Sequence, residues 1–175
     1  TNSLFEAISF QSIMQENGIK PIVGLKINVR YQGLDGYLLL YAKNKEGYKN
    51  ISYISSLTYL NKTDNDKLYF PLEDLEKYKD GVICITGGLG SILETVYSNK
   101  LSIIDDLVNE LLKVYKDNLY IEIEYQGLDY QDRLNEFYTD FTKLFKIPLV
   151  ATNNCRFMHP DQYEAHDAML ALKSE

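Results

Sequence analysis

The sequence has no tryptophan, and only two histidines and two cysteines among its 175 residues. Scarce imidazole and thiol narrow the chemistry at once, because metal hydrolases gather several His, Cys, Asp or Glu ligands at one place. Cys84 and Cys155 lie far apart and in no C-x-x-C or C-x-x-H pair, which fits a reduced, cytoplasmic protein rather than a disulfide-stapled one. No apolar run approaches the ~18 residues of a membrane span, and the opening does not read as a secretory leader, so no membrane partner is expected. Positive charge is also short. Eighteen Lys and Arg against 25 Asp and Glu leave a formal charge of −7, which argues against a broad nonspecific grip on nucleic acid.

Apolar residues are plentiful, at 45% of the chain. At this length one domain is expected, burying roughly 70% of the extended chain's surface. The opening at Thr1, already near a helix start and without an initiator Met, reads as a chain cut from a larger protein. The fifteen tyrosines are scattered like core and rim residues and do not form a base-stacking platform.

In chain order, Ser3 to Glu6 reads as an S-x-x-E capping box before a helix that stops at Asn17-Gly18. Pro21 to Tyr31 alternates as a strand, Gly33 to Gly36 supplies a turn, and Tyr37 to Ala42 is a second strand, forming a hairpin within an otherwise alternating α/β order. Helical spacing covers Asn44 to Leu60. Asn61 to Lys67 reads as an exposed loop, and a short helix runs from Phe70-Pro71 to Lys79. Val82 to Ile85 is a buried strand that enters a glycine-rich turn, Thr86 to Ser91, and a helix from about Ile92. Amphipathic helices follow at Leu101 to Tyr115 and Leu134 to Phe145, with a half-buried strand, Leu119 to Glu124, between them. Ile147 to Val150 reads as a buried strand opening into the loop Ala151 to Arg156, and a Pro-started helix ends the chain. This alternation predicts a largely parallel sheet wrapped by helices, open or closed as a barrel.

Candidate sites are few. The Thr86 to Ser91 turn could cradle a phosphate on free N-H groups at a helix start, but it matches neither GxGxxG nor the P-loop, and a plain tight turn is favoured. Glu122 and Glu124 point the same way on one strand and could pass for a catalytic carboxylate pair. Two like charges at that spacing read first as a solvated face. His159 beside Pro160 reads as a surface or capping residue, and His166 as a helix packing or surface residue. Cys155 is the best lone nucleophile candidate, with no activating partner in sequence.

Several segments together carry a family pattern: NSLFEAISF at 2–10, GIKPIVGLKINV at 18–29, LLLYAKNKEGYKNISYISSL at 38–57, GVICITGG at 81–88, LYIEIEYQG at 119–127, and IPLVATNNCRF with YEAHDAML near the end. In order and spacing the chain resembles the PHP (polymerase and histidinol phosphatase) domain at the amino terminus of bacterial replicative polymerases, the DNA polymerase III alpha subunits. The resemblance implies a distorted seven-stranded (β/α) barrel of PHP type, here incomplete and lacking its first strand, with residues 1–175 forming a single domain cut from a much larger chain.

In relatives with an intact site, His, Asp, Glu and Cys hold metal ions. Here Lys26 stands at a ligand Glu, Tyr37 at a His, Gly88 at the Cys of a Ser-Gly-Cys turn, Asn154 and Arg156 at an Asp and a His, and Thr1 at another His. Two cations where carboxylate and imidazole should hold metal imply that metal binding is lost, with Lys26 or Arg156 pairing internally instead. The resemblance thus implies no catalytic residue and no cofactor in this domain, and a structural role. Implied partners are the rest of the alpha chain and the proofreading exonuclease subunit. Mg2+, DNA and deoxynucleotides would be bound by the parent polymerase elsewhere. The alternatives are an active metal-dependent phosphoesterase or 3'-5' exonuclease, and an unrelated α/β module with an anion site at Thr86 to Ser91.

Overall fold

The computed structural model describes residues 3–60 and 68–173. Thr1, expected at a ligand His, and residues 61–67, expected as an exposed loop, lie outside them. The element order is α1 (Ala7–Glu16), β1 (Gly24–Tyr31), β2 (Leu34–Ala42), α2 (Lys45–Leu60), a 3-10 helix (Leu72–Tyr78), β3 (Val82–Thr86), α3 (Ile92–Asn99), α4 (Ile104–Tyr115), β4 (Leu119–Ile123), α5 (Asp129–Phe145), β5 (Leu149–Ala151) and α6 (Tyr163–Lys173).

The strands form one sheet in the order β1-β2-β3-β4-β5. β1 pairs antiparallel with β2, and β2 with β3; β3 and β4, then β4 and β5, pair parallel. The sheet is therefore mixed rather than largely parallel, because the hairpin reverses direction before the crossover helices begin. This is a mixed α/β fold compatible with part of a PHP-type barrel.

The hairpin turns earlier than its glycines suggest. Gln32 and Gly33 both have positive φ, at 46° and 85°, giving the two-residue turn whose twist matches paired strands. Leu34, Asp35 and Gly36 consequently belong to β2. Arg30 faces Asp35 across the strands, its Nε 2.6 Å from Oδ1. Gly36 serves close approach: a Cβ there would lie 2.4 Å from the Ile92 Cα.

Register separates the two faces of the sheet. Leu25, Leu40, Cys84 and Leu119 stand in one row across four strands and are buried. Helices cover this face with Ile51 and Ile54 of α2, Ile92, Leu93 and Val96 of α3, and Ile104, Leu107, Val108 and Leu111 of α4. Each fully buried Leu or Ile contributes about 1.5–3 kcal/mol relative to exposure. The opposite row is Lys26, Leu39, Ile85 and Tyr120. With period-two alternation, Glu122 stands on this second face, opposite Val150 of β5.

Two other boundaries move. The first helix begins at Ala7, with Glu6 at its cap and no side-chain capping bond, so the S-x-x-E box does not start it. Leu4 packs against the core instead, and the Ala7 N-H donates to the Leu4 carbonyl. At the other end, Ile147 is buried, but β5 itself has Leu149 36% exposed, because an edge strand is covered on only one flank. Among the residues whose burial is described, neither α1 nor α6 has a buried one.

Candidate functional site

The carboxyl ends of β3 and β4, the Gly87–Gly90 turn and the start of the loop after β5 converge on the second face of the sheet. Four consecutive amides of the turn point at oxygens from the chain itself. Gly87 N-H donates to Ser91 Oγ (3.0 Å), Gly88 N-H to Glu122 Oε1 (3.1 Å), Leu89 N-H to Glu124 Oε2 (3.3 Å), and Gly90 N-H to Glu94 Oε2 (3.1 Å). Ser91 also caps α3, its Oγ accepting from Glu94 N-H. The turn has the anion preference expected of amides at a helix start, and internal carboxylates satisfy it. An external phosphate would have to displace them.

Glu122 and Glu124 are not a solvated face. They are 2% and 8% exposed. The second face of the sheet is roofed by the turn, so both sides of β4 are covered. Thr152, two residues beyond Val150, donates its hydroxyl to Glu122 Oε2 at 2.9 Å. Burial pushes the Glu122 carboxyl above its ordinary range; the Thr152 and Gly88 donors and the charge of Lys26 pull it back, while Glu124 adds to the rise.

Lys26 and Tyr37 lie diagonally across the hairpin, since Lys26 faces Leu39. The Lys26 ammonium sits over the Tyr37 ring, 3.5 Å from its centroid. Burial lowers the Lys26 pKa, the charge of Arg156 lowers it further, and Glu122 and Glu124 oppose both. Tyr37 is 8% exposed, and burial, followed by the two glutamates, raises its phenol well above the usual value. Arg156 is exposed, yet its charge reaches both Lys26 and Tyr37. Among the described residues neither Lys26 nor Arg156 makes an ion pair. The expected internal pairing therefore takes the form of a ring contact and longer-range attraction to the two carboxylates.

The structure brings together Lys26, Tyr37, Gly88 and, at the rim, Arg156. Asn154 and Cys155 are exposed in the loop. His159 occupies the cap of a short 3-10 helix, Pro160–Gln162, and His166 packs its ring 5.9 Å from that of Phe157. Sequence reasoning missed Thr152 as a cleft residue and misplaced the two glutamates. Their only sequence signal was the alternation of β4.

This donor set does not fit a metal centre. An ammonium stands in the cleft, residue 88 offers no side chain, and a Cys there would place its Cβ 2.2 Å from Glu122 Oε1. No three His, Cys, Asp or Glu side chains gather as a metal-holding group among the described residues.

The chain is 30% identical over 186 aligned residues to the DNA polymerase III subunit alpha of Thermus aquaticus, covering 99% of this chain and 15% of the relative. The corresponding subunit of Caulobacter vibrioides is 29% identical, over 97% of this chain and 16% of its own length. That of Haemophilus influenzae is 31% identical, over 94% and 14%. The chain thus spans about 15% of the length of these relatives. The PHP domain family matches residues 1–126, well over half of the sequence, and the chain belongs to that family.

Proposed function

We propose that this chain is the PHP region of a DNA polymerase III alpha subunit, and that within such a polymerase it braces the protein and carries out no chemistry itself. The observation that carries this reading is the filled cleft: Lys26 over Tyr37, and Glu122 on the Gly88 amide, occupy the space where ligands would have to meet a metal. Similarity to alpha subunits over nearly the whole chain supports the polymerase context. In that context the described sheet is part of a seven-stranded barrel. The parent chain binds Mg2+, DNA and deoxynucleotides elsewhere and acts as a DNA-directed DNA polymerase. The proofreading exonuclease subunit is the proposed partner of this domain. A cytoplasmic setting belongs to the same reading. Among the described residues no helix is long and apolar enough to cross a membrane.

The test is elemental analysis of the protein after incubation with Zn2+ and Mn2+ and desalting. Near-zero stoichiometry is the expected result. One or more tightly held ions per chain would replace the bracing role with that of a metal-dependent phosphoesterase or 3'-5' exonuclease.

A further inference from the structure

Gly88 is a glycine for a reason other than backbone conformation. Its neighbours Gly87 and Gly90 have φ of +123° and +77°, in the region that favours glycine, and Gly88 is not among the positive-φ residues. An alanine could adopt its backbone. What a side chain would meet is the cleft: a Cβ at residue 88 lies 2.2 Å from Glu122 Oε1, 2.9 Å from Glu122 Cδ and 2.8 Å from Tyr37 Oη. Real Cβ contacts do not come this close, so the carboxylate or the turn must move.

The carboxylate is not free to move. One oxygen accepts from the Gly88 amide and the other from Thr152 Oγ, and Glu122 is 2% exposed. A buried carboxylate persists only where donors replace its water, and these two donors do so. A neighbouring polar atom has no such compensation: Thr86 Oγ1, adjacent to the turn in sequence, is buried without a hydrogen-bond partner.

We propose that residues 88 and 122 exclude one another: the Glu122 carboxylate is the resident ligand of the Gly87–Gly90 turn, and the space accepts either that carboxylate or a side chain at residue 88. The chemical class recognised is a small carboxylate. A Glu122→Ala chain leaves the Gly88 amide and the Thr152 hydroxyl unpaired around a vacated space of acetate size, which admits free formate. The proposal rests on the metal-free reading of the cleft.

Thermal melting in chelator tests it on four proteins: the natural sequence, Gly88→Ala, Glu122→Ala and the double variant. Gly88→Ala alone is expected to lower Tm by about 5 °C or more, as overpacking does. In the Glu122→Ala background the same change is expected to cost less than about 2 °C, because coupled neighbours are not additive. Formate, compared with chloride at equal ionic strength, is expected to raise the Tm of Glu122→Ala and leave the natural sequence unmoved. Additive losses, or a Glu122→Ala protein that melts alike in formate and chloride, would overturn the proposal. Should Gly88→Ala fail to fold, the formate comparison still decides, since Glu122→Ala keeps the turn unaltered. Chelator separates the two readings: metal found in the elemental analysis would overturn the bracing role, whereas these shifts report only the carboxylate and residue 88.

Discussion

The Lys26 ammonium rests 3.5 Å from the centroid of the Tyr37 ring, on the face of the sheet that also carries Glu122. A cation in a half-buried cleft is tolerated where a π face and opposite charges offset lost hydration. The ring and the two glutamates do so here, against the charge of Arg156.

Charge at residue 26 should therefore matter more than its hydrogen bonding. Lys26→Met keeps the apolar stem over the ring and is expected to change stability by less than about 1 kcal/mol. Lys26→Glu adds a third carboxylate beside Glu122 and Glu124 and is expected to cost about 2 kcal/mol or more. Urea unfolding of both variants measures the difference. Equal responses to Met and Glu would remove the electrostatic account.

Stability should rise on mild acidification through Glu122. Its folded pKa lies above the ordinary value of 4.5, chiefly through burial. Between those two values the folded state binds more proton than the unfolded one, so this group's contribution grows as pH falls from the folded pKa to about 4.5 and is lost as pH rises back through it. Glu122→Gln keeps one acceptor oxygen for the Gly88 amide, turns its NH2 donor toward the Thr152 hydroxyl oxygen, carries no charge, and is expected to flatten that slope. Denaturant midpoints of the two proteins across the window check the sign, and a natural protein that loses stability faster than Glu122→Gln on acidification would contradict it.

Thr152 tethers the loop after β5 to β4 through its hydroxyl, 2.9 Å from Glu122 Oε2. Thr152→Val, which leaves a buried carboxylate short of a donor, is expected to cost about 1–3 kcal/mol, and Thr152→Ser markedly less. Chemical denaturation of the pair reads this out. Val and Ser variants of equal stability would mean that the hydroxyl contributes little.

The two thiols should react at very different rates. Cys84 is fully buried in β3, where burial drives its thiol far above the usual range, whereas Cys155 is exposed. Native protein is expected to give one fast equivalent with a thiol reagent and a second only on unfolding. Two fast equivalents would place β3 in frequent exchange with an open state.

Local pattern was enough to reveal the elements that depend on it. The period-two run Leu25, Ile27, Val29 and Tyr31 marks β1, and the stripe Ile104, Leu107, Val108 and Leu111 marks α4, because each strand or helix must bury one face. The glycines were legible as punctuation but not by role: Gly33 makes the turn, while Gly36 and Gly88 are small because another element lies against them.

The sequence by itself determined that the chain alternates helix and strand and that it holds only two histidines and two cysteines. Only the tertiary structure decided that Glu122 and Glu124 face inward, that the turn amides are already satisfied, and that Lys26 settles on Tyr37. Alternation along β4 shows that residues 122 and 124 share a face, but whether that face meets water depends on a turn 34 residues earlier folding over it. Burial is a property of packing between distant segments, and no spacing within one strand encodes it.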